Sequence, residues 1–551
     1  MKKYLIISVI AILLISCFCL TSCGGPVTEK DFKFKVDDNN VEILKYLGDN
    51  SEVIIPETFS GKNEIILDSK AFISSVKVEK VFIPSTVTEI KGNPFRDCLN
   101  LKSIEVASDN PYYSSANGCL YNKEKTVLIS CPIKNEITSI DLSGVIEIVD
   151  YAFEKNSFIE QIHVPASVER IGIRSLSSMK ALSQLTFDEG VESAGDYCFS
   201  ENEKLNVVKL PKTLMNLGVG IFENCICLTE VKFQNEAIVI PERTFYNCKK
   251  LSAVPSGKIV EIKANAFNNC DSLTSVVIGS DVKSVGNNAF DGCDNVASVD
   301  MGNAIFGEYA FANCVSLKEI TVKTQDGKLP DYAFYSCYSL AKINFHESIK
   351  EIGSHVFAYS SVENVSLPET VTKVGGSVFL GCKKLKSFEM TNNVTEIGSY
   401  LFYECSVLEK VTLSENITAI PEYVFCHCLR LVELNLPSKL VTIGRNAFFC
   451  CRKLPDVTLP ETLTTIGESA FSYCDKFSNV KLPSSLKTIK KEAFSNSKGL
   501  QAITIPSGVS SLGENLFKGS TALKTVYTEK NSKADSWLKK NKGTYSIEYI
   551  G

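Results

Sequence analysis

A phenylalanine that returns every 23 residues constrains this 551-residue chain more than any other feature of its sequence. With Leu176 counted as a substitute, nineteen such marker positions run from Phe72 to Phe517, and fourteen of their seventeen ordinary intervals are 23 residues long. A fixed period of about 20 to 50 residues indicates a solenoid, in which each coil buries its apolar edge only against its neighbours. The period therefore predicts one quasi-one-dimensional array instead of several globular domains.

Each coil contains a short alternating segment of the kind that forms half-buried strands. Val480 and Leu482 alternate with polar neighbours, and Pro483, which has no amide hydrogen for a ladder, closes the strand. A glycine follows the isoleucine of the next turn, as at Gly444 and Gly467. We expect these glycines to supply a positive φ in a tight turn. Each coil should therefore add one strand to a continuous parallel sheet.

The repeated strings resemble a known family. They read L-N-L-P-S-K-L-V-T-I-G-R-N-A-F from Leu434 and V-T-L-P-E-T-L-T-T-I-G-E-S-A-F from Val457, which is similar to the BspA-like leucine-rich repeats of bacterial and some protist surfaces. The resemblance covers residues 34 to about 550. It implies a leucine-rich repeat solenoid, mostly β, in a right-handed curved array of 23-residue coils with one parallel sheet and short turns or 3-10 segments elsewhere. The solenoid should span 34–528, and a helix–strand cap should span 529–551.

The N-terminus has the pattern of an export signal. Lys2 and Lys3 precede an apolar run from Tyr4 to Leu20, and a box resembling a lipoprotein cleavage site ends at Cys23. We expect residues 1–22 to be a signal peptide, Cys23 to be lipidated and 23–33 to be a linker, which would anchor the protein outside a bacterial membrane. Alternatives are an uncleaved single-span anchor, or plain secretion with Cys23 incidental. The net charge of −5 lacks the basic stripe of a nucleic-acid-binding protein.

One interval, from Phe95 to Phe153, is 58 residues long instead of 23. Its surplus contains two β-rich runs around a polar turn and predicts a β-hairpin insertion at about 107–132 that projects from the solenoid. The insertion could be a spacer packed on the sheet edge or a partner-binding flap. Cys119 and Cys131 flank the turn and could form a disulfide, a question that the sequence leaves open.

Most of the 21 cysteines follow the period. Twelve lie three residues after a marker, where Ser360, Ser497 and Ser520 stand in other coils. A position that accepts cysteine or serine needs a small buried residue with a weak donor for the turn carbonyls. We therefore predict free thiols arranged in a ladder. The twelve are Cys98, Cys225, Cys248, Cys270, Cys293, Cys314, Cys337, Cys382, Cys405, Cys428, Cys451 and Cys474.

No constellation indicates catalysis or a cofactor. The four histidines, His163, His346, His355 and His427, lie in different coils and have no repeat-set acid or nucleophile partner. His427 and Cys450 should stack side by side near the surface, which could make a small metal site. Two exposed surface residues are the simpler interpretation, so we predict no metal, no cofactor and no enzyme activity.

Two surfaces remain as candidates for binding. The outward positions of the strands form a mixed polar face that suits a protein ligand, which predicts an adhesion or host-interaction protein; the alternative is an envelope-structural or glycan-capturing lipoprotein. Tyrosines near the markers form an edge that either fills gaps between coils or contacts partners. The face residues are Glu230, Lys232, Glu319, Thr321, Lys342, Asn344, Glu433, Asn435, Asp456, Thr458, Asn479 and Lys481. The edge tyrosines are Tyr309, Tyr332, Tyr335, Tyr338, Tyr359, Tyr400, Tyr403, Tyr423 and Tyr473.

Overall fold

The computed structural model describes residues 25–235, 237–541 and 543–550. The predicted signal peptide and the predicted lipidation site at Cys23 lie outside the described residues. The chain divides into an N-terminal unit that runs to Leu251 and includes Pro255–Gly257, and a C-terminal unit that holds Ser252–Val254 and continues from Lys258. Both are mostly-strand solenoids, with about 22 coils in all, so the predicted fold class is confirmed.

In the described part of the N-terminal unit, a short 3-10 helix, Glu29–Asp31, precedes nineteen strands. The hairpin of β1 and β2 begins a sheet that continues in parallel through β4 and β6, while β3, β5 and β7 form a second sheet. The strands are β1 (Phe32–Val36), β2 (Val41–Tyr46), β3 (Glu52–Ile54), β4 (Ile65–Leu67), β5 (Lys80–Ile83), β6 (Val87–Ile90), β7 (Ser103–Val106), β8 (Tyr113–Ala116), β9 (Cys119–Asn122), β10 (Val127–Ser130), β11 (Glu147–Ile148), β12 (Gln161–Val164), β13 (Arg170–Ile171), β14 (Gln184–Phe187), β15 (Ser193–Ala194), β16 (Val207–Lys209), β17 (Asn216–Leu217), β18 (Glu230–Lys232) and β19 (Ile238–Ile240).

The residues of the C-terminal unit that the structure describes form twenty-four strands and one helix, α1 (Lys533–Lys540). The strands are β20 (Ile259–Ile262), β21 (Ser275–Val277), β22 (Ser284–Val285), β23 (Ser298–Asp300), β24 (Ile305–Phe306), β25 (Glu319–Val322), β26 (Lys328–Leu329), β27 (Lys342–Phe345), β28 (Glu351–Ile352), β29 (Asn364–Ser366), β30 (Lys373–Val374), β31 (Ser387–Glu389), β32 (Glu396–Ile397), β33 (Lys410–Thr412), β34 (Ala419–Ile420), β35 (Glu433–Leu434), β36 (Thr442–Ile443), β37 (Thr465–Ile466), β38 (Asn479–Lys481), β39 (Thr488–Ile489), β40 (Ala502–Ile505), β41 (Ser511–Leu512), β42 (Thr525–Thr528) and β43 (Ser546–Tyr549).

Most coils contribute to two parallel ladders, where the sequence indicated one sheet. The first ladder holds the expected alternating strands, such as β29, β31, β33 and β35, paired in register. The second ladder holds two-residue strands at the isoleucine positions, such as β36, β37 and β39. These strands are too short to show a period-two pattern, and for that reason the sequence did not reveal them.

A third set of backbone hydrogen bonds joins the turns around the marker phenylalanines. The N–H of Tyr423 donates to the carbonyl of Arg445 at 2.9 Å, and the N–H of Phe425 donates to that of Ala447 at 2.8 Å. The residues two before and two after most markers adopt positive φ, for example 59° at Tyr423. This alternation directs every second amide toward the next coil. We call this row of bonds the turn ladder.

The marker phenylalanines form the core. Phe448 is fully buried, and its ring lies 5.1 Å from the ring of Phe425 and 5.1 Å from that of Phe471, at interplanar angles of 11° and 1°. Leu176, the substitute, is also fully buried. The period therefore brings identical side chains into register across neighbouring coils.

The glycines after the isoleucines are required for a different reason from the one we expected. Neither Gly444 nor Gly467 has a positive φ. Instead, a Cβ at Gly444 would lie 2.6 Å from the backbone nitrogen of Glu422, and one at Gly467 would lie 2.4 Å from the carbonyl carbon of Gly444. Close approach of adjacent backbones, not turn conformation, selects glycine at this position.

Prolines interrupt the ladders. In an intact coil the amide of Gly444 donates to the carbonyl of Ile420 at 2.8 Å. Pro421 and Pro330 occupy the equivalent position and have no amide to donate, so the second ladder breaks between β32 and β34 and between β24 and β26. In the first ladder the coil that contains Pro455 has no strand, and β38 starts a new sheet.

The insertion at 107–132 contains three strands, one more than the expected hairpin, and it joins the second ladder instead of projecting from the solenoid. β8, β9 and β10 pair antiparallel in sequence order, and β10 then pairs parallel with β11. The sulfurs of Cys119 and Cys131 are bonded, which answers the question that the sequence left open. The insertion thus extends a sheet of the N-terminal unit.

The cap at the C-terminus consists of α1 and β43. The hydroxyl of Ser532 accepts the amide of Asp535 at the start of the helix. The buried carboxylate of Asp535 accepts bonds from Lys539 at 2.8 Å and from the hydroxyl of Tyr549 at 3.3 Å. β43 pairs with β42, which attaches the cap to the last coil.

Candidate functional site: the strand face

The strand face is the exposed side of the six strands β25, β27, β29, β31, β33 and β35 in the C-terminal unit. Alternate residues of these strands point outward, because successive side chains of a strand point to opposite sides of the sheet. In β33, Lys410 and Thr412 are exposed and Val411 between them is buried. The predicted positions Glu319, Thr321, Lys342, Asn344, Glu433 and Asn435 all lie on this face, and Asn344 is half-buried.

Charges on the strand face pair between neighbouring coils. The ammonium of Lys342 lies 2.5 Å from the carboxylate of Glu319, which also accepts the amide of Asn344 at 2.8 Å. Lys410 lies 3.1 Å from Glu433. Lysine bonding lowers the pKa of the Glu319 carboxyl. Exposed pairs of this kind contribute about 0–1 kcal/mol to stability, so these side chains can exchange partners with a ligand at little cost.

A shallow depression of about 470 Å³ lies in the middle of the strand face. Its lining includes Asn364 and Ser387, joined by a hydrogen bond of 2.6 Å, and the exposed carboxylate of Glu389. These three were absent from the positions singled out in the sequence. The alternation N-V-S in β29 and S-F-E in β31 could have identified them.

Other predicted positions lie outside the strand face. Glu230 and Lys232 are exposed on β18 of the N-terminal unit and lie 3.3 Å from each other. Thr458, Asn479 and Lys481 are exposed in the C-terminal unit beyond the sheet break.

Asp456 has a structural role at that break. Its carboxylate accepts the amide of Ser478 at 2.7 Å and that of Asn479 at 3.1 Å. In the coils before it, the equivalent amides of Val432 and Glu433 donate to the carbonyl of Glu409. The Asp456 side chain therefore replaces a backbone acceptor where Pro455 interrupts the ladder.

The edge tyrosines are stacked and mostly half-buried. The rings of Tyr309 and Tyr332 lie 4.4 Å apart, and the ring of His355 continues the stack at 4.4 Å. Burial lowers the pKa of the His355 imidazole, which favours its neutral form in the stack. Tyr338 and Tyr359 are exposed, at 56% and 37%. The edge is therefore chiefly a packing feature of the turn ladder.

The thiol ladder has the geometry that the sequence predicted. The thiol of Cys405 donates to the carbonyl of Phe379 at 3.1 Å, and the hydroxyl of Ser497 makes the same bond to Phe471 at 2.9 Å. Within the described part of the chain, none of the ladder thiols belongs to a disulfide. Burial raises the pKa of ladder thiols such as Cys225 and Cys382, to about 12 in both. They therefore carry almost no thiolate at neutral pH and serve as turn donors.

The His427–Cys450 pair differs from the expected surface stack. Cys450 is buried, whereas His427 is half-buried and contacts the rings of Phe449 and Tyr403 edge-on, at 5.6 and 6.1 Å. Burial raises the pKa of the Cys450 thiol. Within residues 25–235, 237–541 and 543–550, no group of three or more His, Cys, Asp or Glu side chains is placed to hold a metal ion.

These features define a leucine-rich repeat scaffold with an exposed polar strand face. Residues 65–143, 130–252, 252–361, 350–474 and 441–537 match the family described as BspA type leucine rich repeat region (6 copies). The chain belongs to this family. Proteins of this family and fold are typically scaffolds without catalytic activity. No curated protein matches the chain by sequence.

Solved structures similar to this chain include three bacterial proteins. A leucine-rich repeat protein from Bacteroides ovatus is 20% identical, with 95% of this chain and 98% of that chain covered and a TM-score of 0.33. A leucine rich cell surface protein from Faecalibacterium prausnitzii is 18% identical, with the same coverage and a TM-score of 0.31. The pneumococcal vaccine antigen PcpA is 15% identical, with 96% and 99% covered and a TM-score of 0.23.

The described part of the chain contains no helix with the length and apolar character that crossing a membrane requires.

Proposed function

We propose that this protein is a non-enzymatic, exported lipoprotein that binds a protein partner through its strand face. The observation that carries the proposal is the row of exposed and half-buried polar side chains on the six strands, which form the two sheets β25–β27 and β29–β35, with a depression over β29, β31 and β33. Solenoids present extended surfaces of this kind to macromolecular ligands. The family supports a surface interaction role.

The chemistry of the strand face favours a protein over a sugar. Its outward side chains are amides, hydroxyls and paired charges, and the face carries no outward aromatic ring among its described positions. A protein partner could exchange the existing pairs, such as Lys410–Glu433, for pairs of its own. The partner would therefore contribute both signs of charge.

Membrane attachment rests on the sequence alone. Residues 1–22 would be removed as a signal peptide, and lipidated Cys23 would hold the solenoid and its cap at 529–551 outside the membrane. Because Glu29–Asp31 and the buried Phe32 already belong to the folded N-terminal unit, the linker would be shorter than the expected 23–33. The substitution Cys23→Ser should move the protein from the membrane fraction to the soluble fraction of a bacterial host. If Cys23→Ser protein stayed in the membrane fraction, lipidation would be the wrong explanation.

A pull-down with the ectodomain, residues 24–551, tests the strand face. The double substitution Asn364→Arg and Ser387→Arg fills the depression with two long cations and should abolish capture of the partner that the unmodified ectodomain retains. The matched control is Asn303→Arg with Ser339→Arg, because both residues are exposed in turns away from the strand face. If both double variants captured the partner equally, another surface would be responsible.

A further inference from the structure

The turn ladder ends at its last coil with three backbone N–H groups that have no acceptor among the described residues. One coil earlier, the N–H groups of Glu492, Phe494 and Asn496 donate to the next coil at 2.9, 3.1 and 2.7 Å. Asn515, Phe517 and Gly519 occupy the same positions in the last coil. An unpaired ladder edge of this kind is a template for another polypeptide.

The conformation of the last coil repeats that of the coils before it. Asn515 has a φ of 56° and Gly519 a φ of 78°, which matches the values of 58° and 56° at Glu492 and Asn496. The three N–H groups of the last coil are therefore directed away from the preceding coil, as in the interior of the ladder. Asn515 and Gly519 are exposed and Phe517 is half-buried, so solvent reaches this edge.

A cavity of about 460 Å³ adjoins these groups. The turn 515–521 forms one wall, and Trp537, Asn541 and Tyr545 of the cap line the other. The ring of Phe517 contacts that of Tyr545 edge-on at 5.8 Å. The edge thus combines backbone donors with an aromatic surface, which are the two elements of strand-addition sites.

The spacing of the donors determines the class of ligand. A single anion needs N–H groups that converge on one point. Here the donors lie on alternate residues across a five-residue turn, and in the interior coils each meets a separate backbone carbonyl. In those interior coils the accepting carbonyls belong to alternate residues of one peptide segment, such as Glu514, Leu516 and Lys518. The edge therefore matches a peptide backbone and not a small anion.

We infer that the C-terminal end of the solenoid is a second binding site, which takes a peptide segment of a partner protein that lies along the last turn as an interior coil does. The segment's carbonyls accept the N–H groups of Asn515, Phe517 and Gly519, and one apolar side chain enters the cavity beside Trp537. The site is independent of the strand face, because it uses the turn ladder and the cap.

A peptide that copies one of this chain's own turns tests the inference. The probe is an acetylated and amidated peptide with the sequence of residues 467–474, G-E-S-A-F-S-Y, followed by serine in place of the cysteine. Trp537 is the single tryptophan of the chain, so its fluorescence reports the cavity directly. The expected result is a saturable fluorescence change, with hydrogen exchange of the amides at 515–519 slowed at least about tenfold.

Two controls complete the experiment. The all-D form of the peptide has the same composition and should change neither signal. The amides of Glu492, Phe494 and Asn496 are already bonded and should exchange slowly with or without the probe. The inference is overturned if about 1 mM peptide leaves exchange at 515–519 unchanged, whatever the fluorescence does. It is equally overturned if 515–519 without the peptide is as protected as 492–496.

Discussion

Removing one ring from the phenylalanine stack should weaken the packing between the coils on either side of that ring in the C-terminal unit. Phe448 is fully buried between Phe425 and Phe471, with both ring centroids at 5.1 Å. In a solenoid each coil contacts only its neighbours, so the loss falls on two interfaces at once. Phe448→Ala is therefore the substitution whose effect depends most directly on the stacking.

Phe448→Ala should lower the free energy of unfolding by about 3–5 kcal/mol, because the substitution removes a buried ring and leaves a cavity. Each aromatic pair lost adds about 0.5–1.5 kcal/mol beyond burial, which places the value toward the upper end. Phe448→Leu should cost less, about 1–3 kcal/mol, since leucine fills most of the volume but loses both aromatic pairs. Leu176 already occupies a buried marker position.

The control is Phe517→Ala at the end of the stack. Phe517 is half-buried, and its ring neighbours lie 6.4 and 5.8 Å away, so this change should cost only about 1–2 kcal/mol. Native-state hydrogen exchange measures both, because it resolves the opening free energy of individual coils. The reasoning fails if Phe448→Ala destabilises coils 425–471 no more than Phe517→Ala destabilises the last coil.

Three further predictions test other features. Cys405→Ser should leave the melting temperature nearly unchanged, because serine supplies the same hydrogen-bond donor. Cys405→Val should lower the free energy of unfolding by about 1–3 kcal/mol. Equal melting temperatures for the two variants would contradict the donor role. Gly444→Ala should lower the free energy of unfolding by about 1–3 kcal/mol. Gly279→Ala should lower it far less, because a Cβ there would meet no atom within 4 Å. The close-approach argument is refuted if urea unfolding ranks the two variants in the opposite order. Bonding to Lys539 lowers the pKa of the Asp535 carboxyl. The stability that the Asp535 carboxylate gives to the cap is therefore present above about pH 4 and is lost as the pH falls through the lowered folded-state pKa. Trp537 fluorescence should report this acid transition, and Asp535→Asn protein should not show it.

The sequence predicted those features that depend on period alone. Spacing placed Val480 inward, Glu319 and Lys342 outward, and the thiol of Cys405 at a turn carbonyl, because each position repeats in the same register from coil to coil. Half of the face residues predicted by the same argument lie on the strand face, on β25, β27 and the coil of β35. It missed Asn364 and Ser387, which become notable only because they share a depression with Glu389.

What only the tertiary structure decided are the contacts between backbones of adjacent coils. Four features depend on which main-chain atoms meet across a coil boundary. They are the second ladder, the requirement for glycine at Gly444, the Asp456 carboxylate that replaces a missing acceptor, and the unpaired N–H groups of the turn around Phe517. The sequence pattern states only which side chain stands at each position, and nearly the same side chains recur in every coil. The sequence by itself therefore determined the repeating unit and what it buries, whereas stacking determined where the ladders break, where they end and which groups remain open for a partner.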